Sequence, residues 1–505
     1  RRCEGGVVTL SCGGASHANT TRGPSQIYPF MSHSPHPCLG ISTDPADYFS
    51  TRRQFLRRVG GGLGALSLAT MLDPMKLAGA SDAAAISPLA PKAPHFPGKA
   101  KAVIQIFAQG APSHLDTWDP KPLLTKMNGK TLGDGNGTVA LGSPFKFQRH
   151  GQSGIEVSEV FEKTGAFVDD MAVIRSMHTD IPAHDVATVF MNTGSVRIAK
   201  PSLGSWSVYG LGTENQNLPG FIALRTGGLP TGGAANYNAA FLPGIYQGTT
   251  VNTASPSVQQ MIQNIRNPYI PQREQRRQIE LVKQLNEIHA ENLHREEALE
   301  TRLESYEIAF RMQTEATDAF DIRKEPEVMR EAYGNTAQGR QMLVARRLVE
   351  RGVRFVQVWH NGWDHHNDLY DRLTEKAGEV DGPIAALLGD LKQRGMLDET
   401  LVIWGGEFGR KPTRDRNGGG EPGRDHNANA FTTWMAGGGI KGGVVHGATD
   451  DTGAEAVQDK VHVHDLHATI LHCLGFDHKK LTYRFNGRDF RLTDVAGNVV
   501  NPILA

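Results

Sequence analysis

Cysteine is scarce. The 505-residue chain has four, and Cys3, Cys12 and Cys38 fall within the first fifty residues, so Cys473 stands alone in the rest and no internal disulfide framework is possible there. Charge of one sign is not in excess: 53 Lys+Arg stand against 53 Asp+Glu, which argues against a nucleic-acid partner, because neutralising a phosphate backbone takes a basic surplus on one face. Apolar runs of the ~20 residues needed to span a bilayer are also missing. Hydrophobic residues, at 39%, are sufficient for a large packed core, and 57 glycines favour tight turns and close backbone approach.

Residues 1–50 lack periodicity and read as a leader or upstream translated segment. Thr51-Arg52-Arg53-Gln54-Phe55-Leu56-Arg57 then precedes a weakly apolar stretch, Val59 to Leu72, and the small residues Ala78-Gly79-Ala80. Paired arginines, modest hydrophobicity and a small-x-small cleavage site predict a twin-arginine signal peptide over 51–80. The expected consequence is export of the folded chain by the twin-arginine machinery to the periplasm or the extracellular space. Residues 81–100, with Pro88, Pro91, Pro94 and Pro97, read as a linker, and 101–505 as a single domain.

Within that domain, short apolar runs at 102–108, 171–176, 354–359, 400–404 and 431–436 predict strands, and periodic segments at 185–192, 339–351, 371–394 and 463–474 predict helices. This alternation predicts an α/β fold, a doubly wound and mostly parallel sheet with helices on both faces. Residues 201–268, rich in Gly, Asn and Thr, read as a loop-rich insertion. Residues 272–318 read as a long amphipathic helical insertion in which Leu281, Leu285, Ile288, Leu299, Leu303, Tyr306 and Phe310 form a stripe. That stripe packs on the body or pairs with a second subunit, and the oligomeric state stays open.

Ligands of such sheets bind at the carboxyl ends of the strands. There the chain places Gly110-Ala111-Pro112-Ser113-His114-Leu115-Asp116-Thr117-Trp118-Asp119-Pro120-Lys121, then His178-Thr179-Asp180 and His184-Asp185. Further along come His360-Asn361-Gly362-Trp363-Asp364-His365-His366, Gly405-Gly406-Glu407-Phe408-Gly409-Arg410, and Asp425-His426-Asn427. Imidazole and carboxylate donors suit borderline divalent ions, so recurrent His/Asp/Glu clusters after strands predict a site for a divalent metal, zinc or manganese.

At the motifs GAPSHLDTWDPKP, HNGWDHH, WGGEFGR and GRDHN the chain resembles an exported family of unknown function, often labelled sulfatase, within the alkaline phosphatase-like superfamily. The resemblance covers roughly residues 100–480. It implies an alkaline phosphatase-like sheet and a metal-dependent hydrolase of sulfate or phosphate esters. The substrate would be a small-molecule or polysaccharide ester met outside the cytoplasm. It also implies that Asp364, His366 and His426 ligate one metal ion. A second ion would need Glu407, with His114 or Asp116 in place of the superfamily's usual ligands, since Gln109-Gly110 and Glu407-Phe408-Gly409 depart from the Asp-Gly and Asp-His-Gly pattern. His184, ten residues before Gly194, stands where sulfatases carry their nucleophile; it could attack, act as a base toward water, or be another ligand. Thr179 and Ser176 are the nearby hydroxyls, and Arg410 or Lys121 would offset developing negative charge. The departures leave room for a catalytically inactive binding or structural protein on the same scaffold.

Overall fold

A computed structural model of the chain describes residues 87–505 except 133–137, 263–268, 293–296 and 416–418. The expected leader, the expected signal peptide and the first part of the expected linker lie outside the described residues. Residues 87–100 are not a free linker. Leu89 and Ala100 are buried, and backbone hydrogen bonds tie the segment to the body from Thr213 N–H to the Leu89 carbonyl and from Ala100 N–H to the Cys473 carbonyl.

The frame is set by β1 (Ala102–Gln109), β2 (Met171–His178), α1 (His184–Thr193), α2 (Leu203–Leu211), β3 (Phe221–Arg225) and β4 (Thr249–Asn252). Two long helices follow, α3 (Gln272–Asn292) and α4 (Glu297–Phe320), then α5 (Ala337–Glu350), β5 (Phe355–Asn361), α6 (Leu369–Gln393) and β6 (Thr400–Gly405). The chain closes with β7 (Gly409–Arg414), β8 (Arg424–Asn427), β9 (Phe431–Ala436), β10 (Val444–His446), β11 (Val461–His462) and α7 (Val463–Cys473). Among the described residues one nine-stranded sheet runs in the order β10-β2-β9-β6-β1-β5-β3-β4, with β11 beside β2. All its pairings are parallel except those of β9, which runs antiparallel to β2 and β6.

Burial on both faces explains the sequence of β1. Ile104, Ile106 and Ala108 join one core with α5 and α6, whereas Val103 and Phe107 join the other with α2 and α7. A strand covered on both sides must be apolar at every position, which is why AVIQIFA shows no alternation. Its one polar exception, Gln105, accepts a 3.1 Å hydrogen bond from the Gln357 amide, which also donates to Asn192 at 2.7 Å. Such an amide chain satisfies groups that would otherwise be costly to bury.

Two expectations need correction. The expected loop-rich insertion is part of the sheet over its described residues 201–262, because β3 pairs parallel with β5 and β4 extends the sheet beyond it. The stripe on α3 does not pack on the body either: Leu281, Leu285 and Ile288 are exposed, and burial in the pair comes at Met312, Ala319 and Phe320 near the end of α4.

Candidate metal centre

Four loops meet above the carboxyl ends of β1, β2, β5 and β6. Immediately after β1, Gly110 adopts φ +106°, and a Cβ there would lie 2.6 Å from the Asp364 backbone nitrogen, so only glycine lets this turn pack on the loop after β5. After β6, the chain folds into the two-stranded ribbon β7/β8, whose register sets His426 opposite Arg410. After β2, the turn through Pro182 leads into α1 at His184.

The result is one convergent group. His184, Asp364, His366 and His426 each offer a ligand atom within 4.8 Å of the others. The Asp364 Oδ1 atom is 3.2 Å from His184 Nε2, 2.9 Å from His366 Nε2 and 3.5 Å from His426 Nε2, while the last two nitrogens are 3.0 Å apart. Donors ~2.1 Å from a tetrahedral ion would be separated by ~3.4 Å, so the spacing suits a single small cation.

Proton placement supports the same reading. Each imidazole has its Nδ1 against an acceptor: Glu407 Oε1 at 2.5 Å for His184, the Asp415 carboxylate for His366, and the Pro182 carbonyl at 2.8 Å for His426. A carbonyl only accepts, so His426 carries its proton on Nδ1, and carboxylate partners favour the same tautomer in the other two rings. The Nε2 atoms therefore face inward. Two of them at 3.0 Å repel unless positive charge lies between, and a proton can bridge only two of the four donors. His184 Nε2 is buried with no well-aligned hydrogen-bond partner, although Asp364 is near.

Electrostatics are tuned by the neighbours. Burial alone would push the His184 imidazolium pKa down, but its contacts with Asp364 and Glu407 carry it up to about 9. Asp364 is opposed by partial desolvation, yet His184, His426 and the Arg410 guanidinium hold it well below the usual carboxylate range. Phe408 packs against the rings of His184 and His426 at 4.7 and 4.8 Å between centroids, which limits their rotation.

The remaining candidates take other places. Glu407 is fully buried behind His184, accepting also from the Gly110 N–H at 2.9 Å, so it orients a ring rather than joining the four donors. The His114 Nε2 donates to the Gly453 carbonyl at 2.9 Å, and burial pushes its pKa down. Asp116 is paired in bidentate fashion with Arg424 at 2.6 and 3.0 Å. The second ion's expected ligands are thus committed elsewhere. Arg410 is 1% exposed and donates to the carbonyls of Gly110, Ala111 and Arg424 as well as to Asp364 at 2.6 Å. Four of its five N–H donors are engaged by these loops and Asp364, and it is buried, so it holds Asp364 in position. Lys121 pairs with Asp119 at 3.0 Å. The Thr179 hydroxyl is buried without a hydrogen-bond partner among the described residues, and the Ser176 hydroxyl donates to the Asp459 carbonyl at 2.6 Å.

Sequence reasoning missed Asp415 and Pro182. Asp415 sits in a Gly-rich segment with no motif around it, and Pro182 acts through its backbone. His366, Asp415 and Asp425 form a second close group, but Asp425 is paired with Lys411 at 2.7 Å and Asp415 is held by His366.

Comparison with known proteins gives one strong match and several distant ones. A family model described as "Protein of unknown function (DUF1501)" matches residues 100–504. No curated protein matches the chain. Among solved structures, a sulfatase from Pseudoalteromonas sp. is 13% identical, with 75% of this chain and 68% of that one covered at TM-score 0.33. Alkaline phosphatase from the Antarctic bacterium TAB5 is 11% identical, covering 76% and 98% at TM-score 0.32. The lipoteichoic acid synthase LtaP from Listeria monocytogenes is 8% identical, covering 80% and 78% at TM-score 0.33. Likenesses this remote carry nothing about chemistry. The family match spans most of the chain and includes every residue of the convergent group, and the protein belongs to the DUF1501 family.

Proposed function

We propose that this protein is a metal-dependent hydrolase of sulfate or phosphate esters. The observation that carries the reading is the set of three inward Nε2 atoms and one carboxylate oxygen around a single point. His184, His366, His426 and Asp364 would hold one divalent ion, and the imidazole-rich donor set favours zinc over manganese. Bound there, such an ion supplies Lewis acidity, polarising an ester oxygen or lowering the pKa of water. Glu407, Asp415 and the Pro182 carbonyl fix the tautomers, and Arg410 keeps Asp364 ionised and aimed inward. Of the two candidate hydroxyls, Ser176 is bonded to the Asp459 carbonyl and Thr179 is buried, which favours water as the attacking group. The same observation supports the competing reading, a binding protein without turnover.

The site of action is proposed to be outside the cytoplasm, by way of the twin-arginine motif at Arg52-Arg53. Among the described residues no helix is long and apolar enough to cross a membrane. The deciding experiment measures bound metal and turnover of aryl sulfate, phosphomonoester and phosphodiester substrates by wild type and His426→Ala. Bound metal with turnover that falls at least 100-fold in the variant is expected. Metal without turnover on any ester favours the binding protein, and absence of both defeats the metal-dependent reading.

A further inference from the structure

A second polar feature lies beside the metal centre on the same rim. A cavity of about 460 Å³ opens where β3 and β5 end and α5 begins, within the ~300–1,000 Å³ range of small-molecule sites. Its lining includes Thr226, Thr336, Gln338, Asn361, Lys376 and Glu379. Asn361 is three residues before Asp364, so the Cα atoms of these two residues are at most ~11 Å apart.

The wall carries polar atoms that the protein itself does not use. Gln338 is only 7% exposed, yet its Oε1 has no partner, and its Nε2 reaches Thr226 Oγ1 only at 3.4 Å. The Oδ1 atom of Asn361 is likewise buried and unpartnered. An unmet buried acceptor costs roughly 1–3 kcal/mol, so a pair of them in residues that line one cavity points to a ligand that donates once these two side chains turn toward it. Glu379 and Lys376 also line it, 2.8 Å apart, with Glu379 also holding His360 at 2.7 Å.

This charge arrangement selects among donors. A cation would meet the Lys376 ammonium, and an anion would meet Glu379 and two amide oxygens. A neutral polyol meets neither obstacle, because each hydroxyl donates to one wall and accepts from the Lys376 ammonium or a threonine hydroxyl. We propose that the cavity is a subsite for a neutral polyhydroxylated group, a sugar ring carried by the ester substrate. The substrate assignment rests on the hydrolase reading above; the subsite itself does not.

Calorimetric titration of the full chain with methyl β-galactoside, methyl α-glucoside and lactose tests it, using wild type, Gln338→Met and Thr226→Val. At least one sugar is expected to bind wild type and to bind Gln338→Met at least tenfold more weakly, with Thr226→Val weakened less and serving if the first variant does not fold. Turnover of nitrophenyl phosphate or sulfate, which lack a sugar, is expected to be unchanged in both variants. Failure of all three sugars to bind, or equal binding by all three proteins, would overturn the proposal. Sugar binding that follows the expected order in a protein inert toward nitrophenyl esters would leave the subsite standing and remove the hydrolase reading instead.

Discussion

His184 illustrates how a single side chain can be read three ways from sequence and one way from its surroundings. Its ten-residue spacing from Gly194 allowed nucleophile, base or ligand, whereas the Glu407 bond on Nδ1 leaves Nε2 directed at Asp364. With its imidazolium pKa raised to about 9, the metal-free protein carries a proton on this ring at neutral pH. The raised value means that the ring's contribution to stability is complete below ~6.5 and is lost as pH rises through about 9. A divalent ion must displace that proton, so metal affinity is expected to rise about tenfold per unit between pH 7 and 9, with close to one proton released. Calorimetry in buffers of different ionisation enthalpy measures the release. In Glu407→Gln the release should shrink and affinity fall ~10–100-fold, whereas unchanged release would contradict the role given to His184.

Among elements, the strands covered on both faces were legible because burial forces continuous apolar runs, as in β1 and β6. Asp364 and His366 were legible as candidates because their motif follows such a strand, β5, whereas His426 stands on the ribbon strand β8 and was offered by its GRDHN motif. By contrast, β3 is only five residues between Gly220 and Thr226-Gly227, and its partner is far along the chain, so its place in the sheet could not be read locally. The exposed stripe on α3 was misread because helical periodicity reports a face without saying what covers it. Glu407 was offered as a ligand because residue type cannot distinguish a carboxylate that would bind a metal from one that, as here, bonds to an imidazole. The turn after β1 bears on the site directly. Gly110→Ala would place a methyl group 2.6 Å from the Asp364 nitrogen at a φ of +106°. Stability is expected to fall by ~1–3 kcal/mol in urea titration, with weakened metal binding; a variant matching wild type in both would contradict the packing described.

For the whole molecule, two cores flank the sheet and all six tryptophans are buried in them, so the stability of the described residues, which hold no disulfide, rests on packing. The one cysteine among the described residues, Cys473, is buried with its thiol pushed up to about 12, which leaves it unreactive. Histidines in the core around α7 add an acid sensitivity. Burial, reinforced by neighbouring histidines, lowers His467 to about 3 and His464 to about 4. Between those values and ~6.5 the unfolded chain binds protons that the folded chain excludes, so stability falls with falling pH, by up to ~1.4 kcal/mol per unit for each ring. Urea titrations of chelator-treated protein at pH 7 and pH 5 should show the loss, and His467→Gln should lessen it; the same loss in the variant would contradict the account.

The central claim is that side chains from the loop after β5, the strand β8 and the start of α1 hold a single cation. Anomalous diffraction from metal-loaded crystals, recorded at the zinc and manganese edges, tests it most directly. The account predicts one peak bonded to the Nε2 atoms of His184, His366 and His426 and to Asp364, with Glu407 and Asp415 bonded only to imidazole. A peak elsewhere, ligation through Nδ1, or no metal between these four residues would contradict it.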